Sequence, residues 1–305
     1  MLSRVADSLY WMSRYLERVE FTARLIEENV NLALDLSPDT AERRWNKVLF
    51  SLAMPPREGP FDVLGLTHWT SMDHENRSSI VSCIMSAREN ARQVREQVSS
   101  EMWEQLNMLF HQVKRAGIED IWDGQPLEFL RAVREGVHLF QGITDSTMSH
   151  GEGWQFIQVG RSIERAIAVS NLLDIHFRGF QARDWDTDPS EHLEWIGLLK
   201  SCTAFEAYCK EYTAELSPNR LAEFLLLNPE FPHSVRFSVD ALHHGLSMLP
   251  DTRKAGSVTR LSGKLRATLS YAQIDELFGE NFHQHMSSIV QQCGKIRHRP
   301  VEPKA

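Results

Sequence analysis

Leu9, Met12, Leu16, Val19, Ala23, Ile26 and Val30 follow one another in steps of three and four. On an α-helix such steps collect on one side. The spacing therefore predicts a long helix over about residues 3–36, capped by Ser3, with an apolar seam laid against a partner. The same steps return in Phe156, Val159, Ile163, Ala166, Ser170, Leu173 and Phe177, which predicts a second long helix over about 153–180.

Between and beyond these two seams the pattern stays helical. Ser37-Pro38 reads as a cap followed by proline at the first helical position, opening a helix that carries Trp45, Val48, Leu49 and Leu52. Ile80, Ile84, Ala87, Ala91 and Val94 predict a helix over about 80–98, and further helices are expected over 102–113, 127–143, 192–216, 218–227, 234–249, 256–277 and 282–297. The stretches 54–60 and 181–190 read as loops, and the piece around 61–70 has no clear pattern. No stretch alternates as a strand would. The expected class is all-α, a helical bundle built from two tandem pseudo-repeats. The first occupies 1–150 and the second 151–298, packed together as one body, with a flexible tail at 299–305.

The repeat rests on more than apolar spacing. Arg14, Glu17 and Arg18 in the first long helix correspond to Arg161, Glu164 and Arg165 in the second. Each set places arginines at i and i+4 around a glutamate at i+3, so both arginines can flank the acid. Trp45 corresponds to Trp195. Asp73 to Ile80 parallels Asn228 to Val235, each with a glutamate four residues before a serine able to cap the next helix. Arg14 and Arg18 share helical columns with Phe21, Trp11 and Leu25, which places them among large apolar side chains, where a buried guanidinium needs a carboxylate. Two readings follow: a charge network that locks the helices, or a pocket whose arginine forks hold a carboxylate or phosphate. Arg88, Arg92 and Arg95 form a second arginine stripe, either a surface face with glutamate pairs or an anion-facing stripe, and Arg236 is its candidate counterpart in the other half.

Composition narrows the function. A net charge of -8 disfavours general nucleic-acid binding. Four scattered cysteines without a CxxC pair suggest a reducing compartment. No apolar run is long enough for a bilayer, and Asp7, Arg14 and Glu17 interrupt any leader-like stretch, so a cytoplasmic protein without membrane contact is expected. There is no P-loop, GxGxxG, HExxH or GxSxG, and no cofactor is expected. Glu135/His138 and Glu280/His283 are both ExxH pairs; with Glu17 and Glu164 they formally make the ligand set of a di-metal carboxylate bundle.

The two ER motifs, Arg14-Tyr15-Leu16-Glu17-Arg18 and Arg161-Ser162-Ile163-Glu164-Arg165, resemble those of the alpha-E family, all-helical proteins named for an ER motif. Phe140 to Met148, Glu152 to Phe156, Ala87 to Arg92 and Phe231 to Val235 resemble the same family, with His233 and Ser162 departing from its usual residues. The resemblance reaches about His298. It implies partnership with a circularly permuted ATP-grasp ligase, and with a transglutaminase-like peptidase, in making or processing a peptide or amide. It supplies no catalytic residue. The expected role is an accessory or binding subunit that holds an anionic peptide or a ligase surface at an Arg/Glu site. The alternative is a stand-alone enzyme acting on an anionic substrate through Glu17, Glu164 and the neighbouring arginines.

Overall fold

The computed structural model describes residues 1–33, 38–55, 62–116, 126–178, 189–213, 215–250, 253–278 and 281–297; the expected tail at 299–305 lies outside them. Among the described residues every regular element is a helix. They are α1 (Ser3–Ala33), α2 (Pro38–Ser51), α3 (Val63–Ser71), α4 (Ile80–Gln93), α5 (Ser100–Arg115), α6 (Pro126–Thr147) and α7 (Glu152–Phe177). Then follow α8 (Pro189–Ser201), α9 (Phe205–Tyr212), α10 (Pro218–Leu227), α11 (Val235–Ser247), α12 (Arg253–Tyr271), α13 (Ile274–Leu277) and α14 (Phe282–Arg297). No described helix is long and apolar enough to cross a membrane.

The chain divides into two compact units that interleave along the sequence. One takes in Met1–Asp35 and Arg57–Glu164, the other Leu36–Pro56 and Arg165–Pro300. In the first unit α1 packs on α4, α4 on α5, α5 on α6 and α6 back on α1, a closed ring of four helices, with α3 laid against α1 and α4. The seam residues of α1, from Leu9 to Val30, are all buried in it. In the second unit α10 touches α8, α9, α11 and α13, and α12 packs between α11 and α14. The α7 seam is buried from Val159 to Phe177, but Phe156 is only half-buried and Ile157 takes the inner position.

The helix expected over 256–277 is two, α12 and α13, with Gln273 extended between them. Three further differences from the sequence reading each have a local reason. The unpatterned piece near 61–70 holds α3, which Asp62 caps by accepting from the Leu64 and Gly65 amides. The helix expected over 80–98 ends at Gln93, because a short 3-10 turn, Arg95–Gln97, leads to Ser99, whose hydroxyl caps α5. The single helix expected over 192–216 is two, broken at Thr203, whose φ is 54°. A β-branched residue in the left-handed region is uncommon and gives no sequence signal of a break.

Two turns recur with the same hydrogen bonds. After α2, the Ala53 amide donates to the Phe50 carbonyl and the Met54 amide to Leu49; after α8, Thr203 donates to Lys200 and Ala204 to Leu199. Ala53 and Thr203 both have positive φ, and Ser51 and Ser201 both donate to the carbonyl four residues back. The second pair precedes α4 and α11. Ser79 Oγ donates to the Asp73 carbonyl and accepts from the Ser82 amide; Ser234 Oγ donates to the Asn228 carbonyl and accepts from the Phe237 amide. Both serines are fully buried. Each alanine substitution, Ser79→Ala or Ser234→Ala, is expected to cost about 1–2 kcal/mol, because it removes a cap and strands a carbonyl. Urea unfolding checks this, and a midpoint unchanged in either variant would contradict it.

Candidate functional site

Arg14, Glu17 and Arg18 meet Arg161 and Glu164 where α1 crosses the first half of α7, at Gly160. A Cβ there would run into the Tyr10 carbonyl oxygen and Ser13 Oγ, so glycine is what lets the helices approach. The pairing is exchanged between the helices. Glu164 takes its arginines from α1: Arg14 Nε donates to Oε2 at 2.6 Å and Arg18 Nε to Oε1 at 2.7 Å. Reciprocally, Arg161 Nε on α7 stands 3.7 Å from Glu17 Oε2, which also accepts from Gln141 Nε2 at 3.3 Å. Proximity within a motif therefore does not set the Glu164 clamp.

Arg14 is buried on every side. Its Nη1 donates to the Tyr10 hydroxyl at 3.0 Å, and its guanidinium lies 5.0 Å from the Trp11 ring centroid and 5.5 Å from that of Tyr10. Burial pushes the Glu164 carboxyl up, but Arg14 and Arg18 outweigh it and hold the group below the usual carboxylate range. Burial pulls both guanidinium groups down, and Glu164 more than offsets this. Arg18 also faces Cys83 on α4, whose thiol burial pushes up to about 12, so it is no nucleophile at neutral pH.

The acidic side of α1 continues past the motif. Glu20 accepts from Arg24 on its own helix and faces His138 Nε2 at 3.4 Å; Glu27 pairs with Arg134 Nη2 at 2.8 Å. Glu17, Glu20, Arg24 and Glu27 form one stripe of α1, and Arg134, His138 and Gln141 an answering stripe of α6. The sequence reading missed this seam, although both stripes have helical spacing.

The other candidates have partners of their own. Arg165 donates to the Pro232 carbonyl at 3.1 Å. Arg88 donates to Asn107 Oδ1 at 2.6 Å and lies over the Phe110 and Trp103 rings. Arg92 pairs on the surface with Glu89 at 2.7 Å, its side chain 62% exposed against 2% for Arg14. Arg236 Nη1 donates to the Leu227 carbonyl at 3.3 Å, which ties α11 to the end of α10. The ligands of the di-metal reading are dispersed: Glu164 is taken up by arginines, Glu135 is exposed, His138 sits on Glu20, and His283 pairs with Asp174 at 2.7 Å. Glu280 lies outside the described residues. Among the described residues no group of three His, Cys, Asp or Glu could hold a metal ion.

The second unit has its own half-buried charge group, also missed from sequence. Lys47 Nζ donates to Glu194 Oε2 at 2.6 Å, with Arg44 3.9 Å from the same carboxylate. Burial and the Lys47 charge push His176 down to about 4, so its ring is neutral.

Beside the ER cluster, Ser13, Phe140, Gln141 and Arg161 line a hollow of about 20 Å³, room for one water. An all-helical protein with a largely buried, self-paired ER cluster is the class that this geometry defines. The model of the Alpha-E family, described as a predicted alpha-helical domain with a conserved ER motif, matches residues 1–299. The chain belongs to the Alpha-E family. Uncharacterized proteins of Mycobacterium bovis and Mycobacterium tuberculosis are similar to it, 23% identical over an aligned length of 300, with 90% of this chain and 33% of the relative covered. The chain thus spans about a third of the length of the curated relatives it matches. No solved structure matches it.

Proposed function

We propose that the chain is a non-catalytic helical module that works beside a circularly permuted ATP-grasp ligase in making or processing a peptide or amide, with a transglutaminase-like peptidase as a second partner. The observation that carries the non-catalytic part is the ER cluster. Glu164 has both carboxylate oxygens bound by guanidinium groups, and the hollow lined by Ser13, Gln141 and Arg161 beside the cluster has room for one water. A general base works best with a pKa near the operating pH, and Arg14 and Arg18 hold the Glu164 carboxyl below the usual carboxylate range, which makes it a poor one. The ligase association comes from the family resemblance. The length of the mycobacterial relatives supports it, since the similar segment is a third of each polypeptide and has other sequence to work with. The module is built from two tandem copies, 1–150 and 151–298. The reciprocal Arg14–Glu164 and Arg161–Glu17 contacts and the two recurring turns support that duplication.

Co-expression with a circularly permuted ATP-grasp ligase from the same organism tests the role. The expected result is a complex that survives size-exclusion chromatography, with amide synthesis that needs both chains and none from this chain alone. Separate elution with full ligase activity, or turnover by this chain alone that Glu164→Gln abolishes without unfolding, would overturn the reading.

A further inference from the structure

We infer that the groove between α11 and α12 is the seat of an acidic peptide, held by a side-chain carboxylate on Arg260. This deepens the reading above: the anionic chain that such a module would present is held here, not at the ER cluster.

The groove follows from the sequence of α12. Gly256 and Gly263 are two turns apart and so share a side of the helix, with Arg260 between them. Having no side chains, they leave a hollow of about 610 Å³ against the last turns of α11, walled by Leu246 and Leu249. His243 stands at its edge, with Cε1 3.3 Å from where a Cβ on Gly263 would lie. The ring is fixed. Ser262 Oγ donates its one proton to the Thr259 carbonyl at 2.9 Å, so at 2.9 Å from His243 Nδ1 it accepts. On the other side of His243 lies a second hollow of about 480 Å³, over Phe237 and Arg266. Both hollows are of ligand size and open to solvent, and they share His243 and Ser247, so they form one extended trough.

The charge of the trough is opposite to that of the protein. Its lining carries two arginines, Arg260 and Arg266, against one acid, Asp240, in a chain of net charge -8. Arg266 is already paired with Asp240 at 2.8 Å, whereas exposed Arg260 has no carboxylate or hydrogen-bond partner among the described residues. One open guanidinium fork suits a carboxylate, and Phe237, Leu246 and Leu249 offer apolar surface to the methylene stems of glutamates. A polyphosphate fits poorly: Asp240 stands in the wall, and Arg260 alone faces the groove unneutralised.

Fluorescence anisotropy with a labelled oligo-glutamate peptide of about ten residues tests the site, long enough to lie along the trough at up to about 3.3 Å per residue. Saturable binding is expected, weakened about tenfold by Arg260→Ala, the loss of one charge-assisted hydrogen bond, and unchanged by Arg92→Ala, which removes an exposed cation elsewhere. Equal weakening by Arg92→Ala, equal binding of oligo-glutamine, no binding, or displacement by inorganic phosphate at the same concentration as by unlabelled peptide would each overturn the assignment. Peptide binding without ligase co-elution removes the accessory role and keeps the groove; co-elution without peptide binding does the reverse.

Discussion

Replacing Glu164 with alanine is expected to destabilise the protein by about 3–5 kcal/mol. The cost comes less from the lost attraction than from what remains. Arg14 would stay buried, with the Tyr10 hydroxyl and two aromatic faces but without the carboxylate that neutralises it. A domain's whole stability is about 5–15 kcal/mol, so the variant would melt far below wild type or fail to accumulate. Removing the charges together reverses the logic. The triple variant Arg14→Met, Arg18→Leu, Glu164→Leu leaves no orphaned ion and is expected to recover most of the loss. Arg92→Ala, at the exposed pair with Glu89, should leave the melting curve unmoved. A Glu164→Ala protein as stable as wild type would mean that the clamp is wet.

The same clamp sets an acid limb. The native Glu164 carboxyl is held below its unfolded value of about 4.3, so its contribution is complete above that pH and is lost as pH falls through the native value. Melting temperature measured downward from pH 5 should fall more steeply for wild type than for Glu164→Gln, which has no carboxylate to protonate.

How much of this was legible in the sequence depends on what a pattern can carry. Periodicity reports which side of a helix is buried, and the α1 seam and the burial of Arg14 and Glu17 follow from it. It does not report which helix lies opposite, so the motif read as a local clamp is an exchange between α1 and α7. The polar seam of Glu20 and Glu27 against His138 and Arg134 was readable in principle as a second stripe beside the apolar one. A search for apolar steps passes over it, because buried charge violates the pattern being sought. The break at Thr203 left no trace, since packing and backbone hydrogen bonds impose a left-handed residue that composition disfavours. The α11–α12 groove was hidden for a related reason: its glycines read as weak helix formers, and their meaning lies in the space they leave.

Gly160→Ala provides the companion test of the crossing. In an open helix position, glycine to alanine stabilises by about 0.5–1 kcal/mol, and Gly142 is such a position, exposed and with nothing within 4 Å of an added Cβ. At Gly160 the new methyl would meet the Tyr10 carbonyl oxygen, which is backbone and already accepts from Ser13 Oγ at 2.9 Å. A side chain could rotate away; a helix backbone cannot, so α1 and α7 must separate. Overpacking of this kind costs about 1–3 kcal/mol, and here the separation also lengthens the Arg14 and Arg18 bonds to Glu164, a turn away. The two substitutions should therefore shift the urea midpoint in opposite directions, Gly142→Ala upward and Gly160→Ala downward. Because the chemical change is identical, helix propensity cannot account for a difference in sign, and the same sign at both sites would mean that the close approach does not hold in solution.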